Sequence, residues 1–87
     1  MTIHIEKIRS ETPGVENRIH LLAAGSSLMP QPVIDAIINH TMLEARMGGY
    51  EAQAEVSEKL DATYQTIADL VGAKKNEIAL MENATAA

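Results

Sequence analysis

The side chains that could do chemistry in this chain are three histidines, four lysines and twelve carboxylates, and their spacing assembles little. His4, His20 and His40 lie sixteen and twenty residues apart, without i,i+4 pairing and without carboxylate companions at ligand spacing. Metal sites draw on short, regular ligand spacings, so no metal site is expected. Lys7, Lys59, Lys74 and Lys75 are the only lysines, and Lys74 and Lys75 fall in a polar stretch that reads as solvated surface. Cysteine is absent, which removes disulfides, thiolate ligands and thiol nucleophiles. Two further stretches are candidates for binding. Ala23-Ala24-Gly25-Ser26-Ser27 is a run of small residues where other groups can approach the backbone. Asn83-Ala84-Thr85 follows an apolar run and leads into two alanines, the pattern of a helix's first turn, where Thr85 taken alone reads as an N-cap.

The elements that must hold these groups follow from hydrophobic periodicity. Ile3, Ile5 and Ile8, interleaved with Glu6, Lys7 and Arg9, suggest a short helix that Thr12-Pro13-Gly14 ends in a type II turn. Ile19-His20-Leu21-Leu22 is a short strand-like run. Pro30 and Pro32 suit the first turn of a helix, where backbone N–H groups have no intrahelical partner. The helix they start carries Val33, Ile34, Ile37, Ile38, Met42 and Ala45 at helical spacing and is broken at Gly48-Gly49. A second helix places Val56, Leu60, Tyr64, Ile67, Leu70 and Val71 on one stripe, with Glu55 and Lys59 as an i,i+4 pair and Gly72 as the stop. Ile78 to Met81 is an apolar run of strand length. The expected organisation is one partial domain. It comprises an arm over 1–18, a strand and small-residue turn over 19–28, helices over 29–47 and 50–71, a strand over 77–82, and a helix start over 83–87. The expected class is α/β, mostly helical, as in the opening segment of a larger protein.

Composition narrows the function classes. The chain has 87 residues, no Phe, no Trp and two Tyr. Aromatic residues dominate core energetics, so a small domain without them and without disulfides has little to stabilise it alone. Seven Lys or Arg stand against twelve Asp or Glu, and no basic cluster tracks a phosphate backbone, which disfavours nucleic acid as a partner. No stretch approaches membrane-spanning length and the first ten residues do not read as a signal peptide, so the expected location is the cytoplasm.

Two stretches together resemble a known family. One is IHLLAAGSSLMPQPVIDAI, Ile19 to Ile37; the other is GGYEAQAEVSEKLDATYQTIADLVGAKKNEIALMENAT, Gly48 to Thr85. In order and spacing they resemble the N-terminal portion of class V aminotransferase-type enzymes, the pyridoxal-phosphate proteins of fold type I that include cysteine desulfurases. The likeness covers the chain from about Ile19 onward. It implies a transferase or lyase that acts on an amino acid, uses pyridoxal 5'-phosphate and works as a homodimer.

The resemblance also assigns residues. It maps the cofactor's phosphate site onto Asn83, Ala84 and Thr85, with Thr85 as the hydroxyl donor. Family members often carry two hydroxyl residues here, whereas position 84 is alanine and offers only its backbone. It places Ala24 and Gly25 beside the substrate carboxylate and the cofactor. Many members have Asn or Asp just before that pair, where this chain has Leu22 and Ala23, so a side-chain donor is missing. The lysine that holds the cofactor and the aspartate that faces its ring nitrogen come further downstream in the family. None of the four lysines matches that motif, so no catalytic residue is assigned and the chain by itself is not expected to catalyse.

An alternative reading needs no cofactor. Two amphipathic helices broken at Gly48-Gly49 could form a hairpin and dimerise through their apolar stripes, as a small helical interaction module without enzymatic activity.

Overall fold

The structure, a computed structural model, describes residues 2–87. Every regular element among them is helical: α1 (Ile5–Ser10), a 3₁₀ turn (Pro13–Glu16), α2 (Gln31–Met47), α3 (Gly49–Glu55), α4 (Ser57–Val71) and a second 3₁₀ turn (Lys75–Glu77). The chain divides into two units, one ending at Gly48 and the other comprising Gly49–Ala87. No helix among the described residues is long and apolar enough to cross a membrane.

The expected α/β class is therefore corrected: the described residues contain no strand. A strand exists through ladder hydrogen bonds to a neighbour, and an extended run without one stays a loop. Ile78 does have extended backbone, with φ −101 and ψ 128, but Leu80 and Met81 beyond it are exposed and unpaired by any ladder. The expected strand at Ile19 to Leu22 is likewise a loop, with Leu21 91% exposed. These two runs, which would have had to join one sheet, fall in different units.

In the first unit, hydrogen bonds tie the short elements together. The Thr12 hydroxyl donates to the Ile8 carbonyl at 2.7 Å and closes the end of α1. The Gln31 N–H donates to the Glu11 carbonyl at 2.5 Å, which anchors the start of α2 to the chain after α1. The turn at Thr12-Pro13-Gly14 differs from the expected type II. It is a 3₁₀ turn, and Gly14 does not adopt a positive φ. The glycine is explained instead by close approach: a Cβ there would stand 2.8 Å from Leu28 Cδ2. α2 starts with Pro32 in its first turn, as the missing N–H permits, and stops at Gly48, whose φ of 95 a side chain would resist.

In the second unit, the expected single helix over 50–71 is two helices. Val56 leaves helical geometry at φ −104 and ψ 16, although its N–H still donates to the Ala52 carbonyl at 3.2 Å and its carbonyl still accepts the Leu60 N–H at 3.0 Å. The expected Glu55–Lys59 pair straddles this break and is not formed among the described residues. α4 ends at Gly72 in the left-handed region, φ 74 and ψ 32, and the Ala73 N–H bonds to the Ala68 carbonyl at 2.9 Å. That six-to-one bond is a Schellman cap, which only glycine enters without strain.

Burial is sparse. Ala52 and Ala68 are the fully buried apolar residues, both in the second unit, and Tyr64 and Ile67 beside Ala68 are half-buried. The apolar face of α2 is open: Val33, Ile37, Ile38 and Met42 are all exposed. Two buried methyl groups remove little apolar surface from water, so within each unit local hydrogen bonds and caps hold most of the structure.

Candidate functional site

The best-formed candidate is the last turn of the chain. Asn83 Oδ1 accepts the Ala86 N–H at 2.8 Å, and the Asn83 carbonyl accepts the Ala87 N–H at 3.2 Å. Together these bonds close one helical turn with Asn83 as its N-cap, so the cap is Asn83 rather than Thr85. Among the described residues, no hydrogen bond engages the Thr85 hydroxyl or the N–H groups of Ala84 and Thr85. Asn83, Ala84 and Thr85 are all exposed. The turn thus presents two backbone donors and one hydroxyl to its surroundings. Donors of this kind suit the oxygens of a phosphate group. They fit the anionic end of pyridoxal 5'-phosphate, and nothing in the turn addresses the rest of that molecule.

Ala24 and Gly25 lie in an exposed turn in the first unit. Gly25 has no positive φ, and a Cβ built on it meets no atom within 4 Å. Neither backbone strain nor a neighbour in this chain therefore requires glycine at that position. The His20 ring lies just before this turn, its Nε2 donating to the Ser26 carbonyl at 2.8 Å, which closes the loop over residues 20–26.

Lys7, Lys59, Lys74 and Lys75 are all exposed. Lys75 Nζ is bonded to Asp61 Oδ2, and the Lys74 N–H donates to Glu77 Oε2 at 2.8 Å within the second 3₁₀ turn.

One pairing escaped the reading of the sequence. His40 Nε2 lies 3.1 Å from Glu44 Oε1 on α2, so His40 does have a carboxylate companion. The signal was present as i,i+4 spacing, which puts both side chains on one helix face. His40 also borders a shallow apolar groove of about 510 Å³ along α2, formed with Val33, Ala36 and Ile37. No group of three or more metal-ligating side chains occurs among the described residues.

No family model, no curated protein and no solved structure matches the chain.

Proposed function

We propose that this chain forms the N-terminal part of a pyridoxal-phosphate-dependent enzyme of the class V aminotransferase type, a cytoplasmic, homodimeric transferase or lyase acting on an amino acid. The observation that carries the reading is the Asn83-capped turn, which leaves the Thr85 hydroxyl and two adjoining N–H groups unengaged. In this reading those three donors hold the phosphate, and the lysine that binds the cofactor's aldehyde comes from outside the chain. When bound, the cofactor supplies an electron sink for carbanion chemistry on the amino acid. Ala24 and Gly25 give the substrate room to approach the backbone, in keeping with the open space around Gly25. The exposed side chains of Val33, Ile37, Ile38 and Met42 are then surface that the rest of the enzyme covers.

The test is complementation. The chain is co-expressed with a class V enzyme from which the corresponding N-terminal segment has been deleted. The expected result is a soluble complex that retains pyridoxal phosphate through desalting. Thr85→Val should weaken cofactor retention by about tenfold, as loss of one hydrogen bond to a charged group does. A chain that never joins the complex overturns the reading.

A second reading is favoured by the helical elements of the described residues and the open face of α2: a helical module that dimerises and catalyses nothing. It expects the purified chain to sediment as a dimer with a cooperative melt, and Ile37→Glu to make it monomeric.

A further inference from the structure

The first unit contains a second concavity, of about 260 Å³, formed where the end of α1, the first 3₁₀ turn and the chain after it converge. Arg9, Arg18 and His20 line it together with Val15, Leu21 and Leu28. In a chain of net charge −5, neither of these two arginines forms an ion pair among the described residues. Among the described residues the carboxylate contacts of basic side chains are His40–Glu44 and Lys75–Asp61, and neither involves an arginine. No acidic residue lines the concavity. His20 Nε2 donates to the Ser26 carbonyl at 2.8 Å, an exposed bond that closes the loop over residues 20–26.

We propose that this concavity binds a small organic anion, a monocarboxylate with a short apolar tail. Guanidinium groups stay charged at all working pH values and match a carboxylate with paired N–H donors. The tail covers Leu21, 91% of which faces water, and rests on the half-buried Val15 and Leu28. At a liquid share of about 30 Å³ per water-sized group, the volume takes roughly eight heavy atoms, the size of hexanoate. The site is independent of the cofactor reading, since it uses no residue assigned to pyridoxal phosphate or to its substrate.

The experiment titrates the full chain with hexanoate, with hexanol as the neutral analogue and with sulfate as the anion without a tail, following amide and side-chain NMR signals. Hexanoate should shift signals of residues 9–28 in a saturable way, with a dissociation constant near or below about 1 mM. Hexanol and sulfate should each bind at least about tenfold more weakly, because each lacks one half of the recognition. Arg9→Gln and Arg18→Gln should each weaken hexanoate several-fold, while Lys74→Gln leaves it unchanged. Equal binding of hexanol, equal binding of sulfate, unaltered binding by the arginine variants, or the absence of saturation would each overturn the assignment.

Discussion

Lys75 Nζ lies 2.5 Å from Asp61 Oδ2, and this pair ties the turn after α4 back to the helix across fourteen residues. Both side chains are substantially exposed, at 43% and 67%, so water and salt screen the attraction. A double-mutant cycle with Lys75→Gln and Asp61→Asn should give a coupling below about 1 kcal/mol, vanishing in high salt. A larger, salt-insensitive coupling in urea melts would show that the pair is desolvated in solution.

Gly72 has open space around it, yet its φ of 74 strains any L side chain placed there. Gly72→Ala should destabilise by about 1 kcal/mol, because an L side chain in the left-handed region crowds its own carbonyl. Amide exchange should accelerate first at Ala73, whose N–H makes the capping bond to Ala68. Unchanged protection there would refute the capping role.

Ala68 is fully buried, so Ala68→Leu should cost about 1–3 kcal/mol through overpacking. On the exposed face of the same helix, Thr63→Leu should change stability by no more than about 0.5 kcal/mol. Chemical denaturation of the two variants side by side checks the contrast; equal midpoints would mean that Ala68 is not in a packed environment.

Asn83→Ala removes the side-chain acceptor for the Ala86 N–H, a loss of about 1 kcal/mol in the local stability of the last turn. Asn83→Asp keeps the acceptor and should preserve the turn. Secondary chemical shifts of residues 84–86 report the difference directly. If the alanine variant keeps helical shifts, the turn is held by something other than its cap.

The helices could be read from the chain because their determinants are local. Pro30 and Pro32 prepare the start of α2, Gly48 stops it, and Gly72 stops α4, each acting through dihedral preferences that need no distant partner. The turn over residues 83–87 was legible for the same reason, although Asn83 rather than Thr85 proved to be its cap, since both side chains can accept an N–H and only the geometry selects one. The pairing of His40 with Glu44 was present in the spacing and was overlooked. What the sequence could not supply was the partner of each apolar run. Ile19–Leu22 and Ile78–Met81 have the composition of strands, but a strand is a relation between two segments, and the tertiary structure places these in separate units without a ladder. The close approach of Gly14 to Leu28 is likewise decided by packing, where local propensity is a weak prior. By itself, then, the sequence determined where backbone dihedrals must turn or cap; only the three-dimensional arrangement decided which surfaces meet, because hydrogen-bond pairing and burial depend on what lies across space rather than along the chain.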